Sequence, residues 1–259
     1  MTFGYPDPFE RPLAFVDIDD SLLVSGRART ERHARVVGKS ASGSDGAFMA
    51  PEHEQLFAWL NATTEMVPTT GRAVEAFRRL DLPFLHGAIL AHGAIVLHAD
   101  GSRDDDWHDI VAERCRATHD ELMALYEQVK QFLSHRSSPI GGRIVHDENL
   151  PLYIAFRDPQ QDDAARQALG EFLRDIRPES WLIHNNTAHL ALLPGFIRKS
   201  EGVRWWLRNE SPDRLRLGLG DSLSDAEFMA ECHVAALPVP SQAFGPVVEA
   251  GKHSERGDL

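Results

Sequence analysis

The sequence predicts an α/β protein with a parallel-sheet core, into which a smaller α+β module with an antiparallel sheet is inserted. Two observations predict this. Near both ends of the chain, short apolar runs, turns and helical patterns alternate, as they do in doubly wound parallel sheets. Between them the order changes to helix, hairpin, helix, hairpin. We therefore expect residues 1–90 and 194–259 to form a Rossmann-like core and residues 91–193 to form the inserted module.

The spacing of apolar residues predicts the core elements. Residues 13–17 (LAFVD) are a continuous apolar run that ends in an acid, which is typical of a buried parallel strand. Residues 51–63 and 73–82 carry apolar residues at three- and four-residue spacing, which predicts two helices. The segment EMVPTTG predicts a short strand and a turn before the second helix. Further along, the patterns predict a strand, a helix and another strand over 214–221, 225–232 and 233–237.

The middle of the chain has a different pattern. Residues 106–135 form one long helical pattern with its apolar residues on one face. The segments GGRIVHDE and LPLYIAFRD predict two strands joined by a polar turn. Residues 164–176 predict a second helix, and SWLIHNN and AHLALLP predict another pair of strands. Because this module interrupts an alternating strand and helix pattern, we interpret it as an insertion.

Residues 25–47 fit neither pattern, because they are basic at first and then rich in Gly and Ser. Such a composition is typical of a mobile surface loop. The alternative is a lid whose arginines face an anionic ligand; these are Arg27, Arg29, Arg32 and Arg35.

Composition limits the kinds of partner. The 259 residues include 27 Lys and Arg against 39 Asp and Glu, a formal net charge of −12. This balance argues against nucleic acid or an anionic membrane, because both favour clustered positive charge. Cys115 and Cys232 provide neither a disulfide framework nor a zinc spacing. The sequence shows no signal-peptide pattern and no long apolar span, so we expect a cytoplasmic protein.

Acidic residues follow the first predicted strand. The segment FVDIDDSLL places Asp17 where the chain leaves the core and Asp19 two residues later. Reacting groups in open parallel sheets lie just beyond the carboxyl ends of the strands. An EF-hand loop is excluded, because Leu22 and Ala28 stand where that loop needs Gly and Glu.

Three further segments extend this acidic motif. PTTGR (68–72) places Thr70 and backbone amides at a strand-to-helix turn, where free N–H groups can bind an anion. Lys199 begins a helical pattern, and GDSLSD (220–225) ends a strand with Asp221 and Asp225. A hydroxyl, a lysine and two pairs of acids at the ends of successive strands suit a divalent cation together with a phosphate.

These motifs, in this order and with the module between them, resemble the haloacid dehalogenase-like (HAD) phosphatases. The resemblance is to the Cof-type branch with a large α+β cap, which includes sucrose-phosphate and trehalose-phosphate phosphatases. The signatures are DxDx[ST] at 17–21, [ST]GR at 70–72, Lys199 and GDxxxD at 220–225. The chain departs from the family at Asp20, where Gly is usual, and at Ser224, where Asn is common. His92 in AHGAI also stands where the family has Asn.

The resemblance implies a Mg²⁺-dependent phosphomonoesterase that acts on a small polar phosphate ester, a phosphosugar being the expected class. It implies that Asp17 is the nucleophile and forms an aspartyl-phosphate, and that Asp19 is the general acid and base. It further implies that phosphate is bound by Thr70, Gly71 and Lys199. Mg²⁺ would be bound by Asp17, the Asp19 carbonyl and Asp221, and Asp225 would be either a ligand through water or a support for these ligands.

In the family the cap selects the leaving group. We expect its polar turns to provide the sugar-binding residues, which are Arg143, His146, Glu148, Asn185, Asn186 and His189. A solvated hairpin turn explains any one of these residues equally well. Two other functions remain open: a phosphosugar mutase on the same fold, and a non-catalytic sensor of a phosphate ligand. The retained Asp17 and Asp19 argue against a sensor, because a binding protein needs no nucleophile.

Overall fold

The computed structural model describes residues 10–24, 33–160, 162–185 and 190–254, with side chains given to residue 249. The chain divides into two compact units. The first comprises Met1–Asp104 and Lys199–Leu259, and the second comprises Asp105–Arg198.

A four-stranded parallel sheet is the centre of the first unit. Its strands are β1 (Leu13–Val16), β4 (Glu65–Pro68), β11 (Arg216–Leu219) and β12 (Val234–Ala236). Their order is β12-β11-β1-β4, and each neighbouring pair is parallel. All four residues of β1 are buried, as expected for a strand between two others in a parallel sheet.

Among its described residues, the first unit also contains two hairpins and five helices. The hairpins are β2 (Arg35–Lys39) with β3 (Asp45–Met49), and β5 (Ala88–Leu90) with β6 (Ile95–Leu97). The helices are α1 (Pro51–Thr63), α2 (Val74–Arg78), α6 (Lys199–Leu207), α7 (Ala226–Met229) and α8 (Phe244–Ser254). Short 3₁₀ turns occupy Ala91–Gly93 and Leu223–Asp225.

An apolar cluster fixes the layers of the first unit. Val16 and Met66 from the sheet, Phe57 and Leu60 from α1, and Met49 from β3 belong to the same buried cluster. Fully burying a side chain of this size contributes about 1.5–3 kcal/mol. The packing therefore fixes the strand ends from which the polar residues described below emerge.

The second unit is an antiparallel sheet covered by helices. Its strands are β7 (Gly141–Asp147), β8 (Leu150–Arg157), β9 (Leu182–Asn185) and β10 (Leu190–Leu193), in the order β7-β8-β10-β9. Its helices are α3 (Asp105–Ala117), α4 (His119–His135) and α5 (Asp163–Ile176). Leu125 and Val129 of α4 pack with Leu169 of α5 and with Ile154 and Leu192 of the sheet.

The parallel sheet and the separate antiparallel sheet confirm the predicted fold class. Several element bounds were wrong. The single helix predicted over 106–135 is two helices that meet at Thr118, whose side chain donates to the Arg114 carbonyl. The helix predicted over 73–82 has only the five residues of α2.

The segment 25–47 is not a single loop. Its second half forms β2 and most of β3, which pair with a bulge at Gly38. A Cβ at Gly38 would lie 2.7 Å from the Arg79 carbonyl oxygen, so this strand needs a glycine where it passes the end of α2. Of the four predicted lid arginines, Arg35 lies on β2 and pairs with Glu54, whereas Arg27, Arg29 and Arg32 lie outside the described residues.

Along the chain, the boundaries between the two units fall at 104/105 and 198/199, whereas the sequence predicts them at 90/91 and 193/194. The first difference arises because β5 and β6 belong to the first unit. The Asp104 amide donates to the Val96 carbonyl at 2.9 Å, so the chain returns along β6 before it enters the second unit. In the described ranges, no helix combines the length and the apolar character needed to cross a membrane.

Candidate active site

Three strands of the parallel sheet end in register at one edge, and polar residues lie within two positions of each strand end. Val16 of β1 is aligned with Leu219 of β11 and with Pro68 of β4. The Asp17 amide then donates to the Leu219 carbonyl at 2.8 Å. Because the ends are aligned, residues after β1, β4 and β11 all emerge at the same edge. Sites in open α/β sheets form at this position.

Lys199, the first residue of α6, joins two of these groups. Its Nζ donates to Asp17 Oδ1 and to Asp225 Oδ1, at 2.6 Å in each case. All three side chains are buried, with 6 % or less of each exposed. Burial opposes ionisation of the lysine, but the two carboxylates outweigh it and raise its pKa above the usual range. Lys199 is therefore a fixed positive charge in the site.

Ser222 holds the other oxygen of Asp225. Asp225 Oδ2 accepts the Ser222 amide at 3.0 Å and the Ser222 hydroxyl at 2.7 Å, within the 3₁₀ turn that follows β11. Burial would raise the pKa of Asp225, but Lys199 and these hydrogen bonds lower it below the usual range. Asp225 is therefore a fully partnered carboxylate, ionised at neutral pH.

The pKa values of Asp17 and Asp221 are raised, whereas that of Asp225 is lowered. Burial raises the pKa of Asp17 well above the usual range; Lys199 partly opposes this, and Asp225 and Asp19 add to it. Burial and the charge of Asp225 raise the pKa of Asp221 to about 6, although a hydrogen bond with Asp17 lowers it. Negative charge in this cluster therefore exceeds the positive charge that Lys199 supplies.

The cluster fits a hard divalent cation. Ligand oxygens of Asp17, Asp221 and Asp225 all lie within 4.8 Å of one another, and all three residues are buried. Three carboxylates against one ammonium group leave a formal charge of −2 in this set, which a divalent cation would balance. Carboxylate oxygens are the ligands that Mg²⁺ and Ca²⁺ prefer.

Asp19 pairs with a different cation, the guanidinium group of Arg72. Arg72 Nε donates to Asp19 Oδ2 at 2.8 Å, and Arg72 Nη2 donates to Asp19 Oδ1 at 2.6 Å. Burial opposes the charge on Arg72, but Asp19 outweighs it and raises the arginine's pKa. Both side chains are partly exposed, at 19 % and 28 %. A paired carboxylate at the solvent side of the strand end can meet a ligand.

Thr70 and Gly71 follow β4 at the same edge. Thr70 is buried, and its hydroxyl oxygen accepts the Arg72 amide at 3.2 Å. The Thr70 amide donates to the Ile89 carbonyl at 2.9 Å, so the loop is tied to β5. The helix that follows this loop, α2, begins at Val74, three residues after Gly71, and has only five residues. Any anion here would depend on the loop itself.

The residues predicted in the module's turns do not form one cluster. Arg143 and His146 lie on β7, Glu148 follows it, and Asn185 ends β9; all four are exposed. Strands β7 and β9 are the two opposite edges of the sheet, about 14 Å apart at ~4.8 Å per strand. The Asn185 side-chain oxygen accepts from Arg166 at 3.2 Å. Asn186 and His189 lie outside the described residues.

Two contacts of the site were not predicted. In the sequence, Arg72 belongs to the [ST]GR signature and Ser222 to the GDSLSD segment, and neither pattern by itself assigns the residue a role. The [ST]GR pattern could have indicated Arg72, because a lone arginine beside an acidic cluster needs a carboxylate partner. Ser222 precedes Asp225 by three residues, which is the spacing of a capping box.

The fold matches solved structures, although no protein-family model and no curated protein matches the sequence. A sucrose-phosphatase from Synechocystis, solved with sucrose and phosphate, aligns with a TM-score of 0.55 and 17 % identity over 94 % of this chain and 98 % of that chain. The C-terminal domain of a C. albicans trehalose-6-phosphate phosphatase aligns with a TM-score of 0.53 and 14 % identity, over 85 % and 73 %. A trehalose-6-phosphate phosphatase related protein aligns with a TM-score of 0.50 and 19 % identity, over 87 % and 85 %.

At these identities the likeness establishes the fold. The chain shares its fold with a solved sucrose-phosphatase and a solved trehalose-6-phosphate phosphatase. Both belong to the kind of protein that the sequence motifs resemble.

Proposed function

We propose that this protein is a Mg²⁺-dependent phosphomonoesterase that hydrolyses a small polar phosphate ester, a phosphosugar, through an aspartyl-phosphate on Asp17. The observation that carries the proposal is the position of Lys199, which donates to both Asp17 and Asp225 while Asp221 completes a buried acidic cluster. A surface acidic turn would not hold a buried lysine between two carboxylates.

The first difficulty of the reaction is electrostatic. A carboxylate that approaches a phosphate dianion at ~4 Å meets a repulsion of about 4 kcal/mol for each pair of unit charges at an effective dielectric near 20. Lys199 reduces this repulsion, since its ammonium contacts Asp17 Oδ1 directly. A bound Mg²⁺ would be held by Asp17, the Asp19 carbonyl and Asp221, with Asp225 as a ligand through water or as a support for the ligands. It would neutralise the nucleophile and the phosphoryl oxygens together.

Each remaining group has a task that its position allows. An oxygen of Asp17 attacks phosphorus, and the bond from phosphorus to the sugar oxygen breaks. Asp19 donates a proton to that leaving oxygen and later accepts one from the water that hydrolyses the aspartyl-phosphate. The Thr70 hydroxyl and the Gly71 amide are proposed to hold phosphoryl oxygens during both steps.

The substrate class is proposed from the solved phosphatases that share the fold and from the polar surface of the second unit. A sucrose-phosphatase and a trehalose-6-phosphate phosphatase share the fold. Arg143, His146, Glu148 and Asn185 offer exposed donors and acceptors suited to sugar hydroxyls. We propose that these residues bind the sugar.

The test is phosphate release from a panel of sugar phosphates and other phosphomonoesters, in Mg²⁺ and in chelator. Asp17→Asn is compared with Asp45→Asn, an exposed aspartate on β3 that pairs with Lys39. We expect release that requires both Mg²⁺ and Asp17 and is unchanged in Asp45→Asn. Release by Asp17→Asn at the wild-type rate would contradict the proposal. Transfer of the phosphoryl group back to sugar without release would identify a mutase.

A further inference from the structure

The imidazole of His92 lies directly against Gly71. A Cβ placed on Gly71 would meet three atoms of that ring first: Cε1 and Nε2 at 2.5 Å and Nδ1 at 3.1 Å. Real Cβ atoms do not approach so closely, so the ring occupies the space that any larger residue at position 71 would need. Gly71 does not adopt the left-handed conformation, so a larger residue here would be opposed by the His92 ring and not by the backbone conformation.

The backbone that carries His92 is itself unusual. Ala91 and His92 have φ values of 50° and 57°, in the left-handed region that residues other than glycine rarely adopt. Two successive residues in this region cost stability and persist only where neighbouring structure holds them. Here the Ala91 amide donates to the Arg72 carbonyl at 2.8 Å, and the His92 amide donates to the Thr70 carbonyl at 3.0 Å.

The same segment packs against the helix that carries Lys199. A Cβ on Gly202 of α6 would lie 2.6 Å from Ile89 Cγ2 and 3.1 Å from Gly93 Cα. Residues 89–93 therefore lie between the Thr70–Gly71 loop and α6. They connect two groups that the proposed function assigns to the phosphate, the Gly71 amide and the Lys199 ammonium.

We infer that His92 is a positioning residue for phosphate binding, and that it acts because its imidazole ring packs against the backbone of Gly71. The inference rests on the proposed function, since it assumes that Thr70 and Gly71 hold phosphoryl oxygens. The ring fixes the Gly71 backbone from one side, and the hydrogen bonds of residues 91 and 92 fix its two neighbours. The loop thus keeps one geometry relative to Lys199 before the ligand arrives.

A double-mutant cycle tests this coupling with inorganic phosphate as the probe. Its members are the wild type, His92→Gly, Gly71→Ala and the double variant, each titrated with phosphate in Mg²⁺ by calorimetry. His98→Gly, an exposed histidine of the same unit, is the matched control. We expect His92→Gly to weaken phosphate binding about tenfold to a hundredfold, the scale of a group misplaced by ~1 Å. Its melting temperature should hold or rise, because glycine removes the left-handed cost.

The double variant tests whether the His92 ring causes the loss of phosphate affinity in Gly71→Ala. Gly71→Ala should weaken phosphate binding in the presence of the ring, and it should add little to His92→Gly, where the ring is gone. If the losses of phosphate affinity in the two single variants simply add in the double variant, the inference is overturned. Wild-type phosphate affinity in folded His92→Gly would overturn it as well. A wild type that binds phosphate but releases none from any ester would overturn the proposed function, and the cycle would still decide the role of His92. A wild type that binds no phosphate would overturn both.

Discussion

Arg72 holds the carboxylate of Asp19 with two nitrogens, at 2.6 and 2.8 Å, across 53 residues of sequence. The geometry is the paired, planar contact that guanidinium makes with carboxylate and that an ammonium cannot reproduce. Since Asp19 is the proposed proton donor and acceptor, this pair fixes where the proton can be delivered.

Replacing Arg72 should therefore affect the chemical step. We expect Arg72→Lys to lower kcat by about tenfold to a hundredfold, because a single point charge orients Asp19 less well. In Arg72→Ala, the ionised carboxylate loses a stabilising charge and takes up a proton at higher pH, so the acid limb of the pH–rate profile should move upward. The profile of kcat against pH measures both effects. An unchanged profile in a folded Arg72→Ala variant would mean that the pair has no part in proton transfer.

The nucleophile can be separated from the fold. Asp17→Asn should reduce phosphate release by more than about a thousandfold. Burial raises the pKa of Asp17, which means that the folded protein disfavours its ionised form. Because asparagine carries no charge, the metal-free variant should melt at the same temperature as the wild type or at a higher one. Steady-state kinetics and thermal melts in chelator measure the two results. A variant that loses activity only because it unfolds would contradict this prediction.

Lys199 should be needed for both stability and activity. Lys199→Met leaves Asp17 and Asp225 buried without their shared ammonium. Loss of one partner of a buried ion pair costs about 3–5 kcal/mol. Denaturant unfolding in chelator measures this, with Lys130→Met as the control, because Lys130 is exposed and pairs with Glu127 one turn away on the same helix. Equal stability of the two variants would exclude a structural role for the buried pair.

Magnesium binding should depend on pH through Asp221. Its pKa of about 6 in the folded protein is above the ~3.9 of an unperturbed aspartate. A raised acid pKa gives stability that is present below about pH 4 and lost as the pH rises through 6. Because a cation must displace the proton, the rise in melting temperature caused by MgCl₂ should be small near about pH 5 and large near about pH 8. Asp221→Asn should reduce this difference, and the part that remains should come from Asp17, whose pKa burial also raises. A shift equal at both pH values in the wild type would contradict the assignment of the ligands.

The polar residues of the second unit should affect KM more than kcat. Single alanine variants of Arg143, His146, Glu148 and Asn185 change exposed side chains and should leave the melting temperature within about 1–2 °C of wild type. If these residues bind the sugar, each variant should raise KM for the preferred sugar phosphate but not for a small aryl phosphate. Wild-type kinetics in all four variants would mean that these side chains are ordinary solvated residues with no part in sugar binding.

The sequence was sufficient for the parts of the protein that local pattern encodes. The apolar run of β1 and the helix over Pro51–Thr63 follow from burial and helical spacing, and the two-unit organisation follows from the change in pattern. The motif order placed Asp17, Thr70 and Asp221 at strand ends. The carboxyl ends of neighbouring parallel strands lie at the same edge of the sheet, so the sequence alone predicts that these residues lie near one another.

Tertiary structure decided what depends on contacts between distant segments. Nothing in the spacing of residues shows that Lys199 reaches both Asp17 and Asp225, or that Arg72 turns to Asp19. The breaks at Thr118 and after Arg78 were missed because apolar spacing continues across them. The contact of His92 with Gly71 depends on a left-handed backbone that hydrogen bonds to the neighbouring loop stabilise. Local sequence determines which segments are buried, whereas pairings and charge balance arise only when separate segments share the same space.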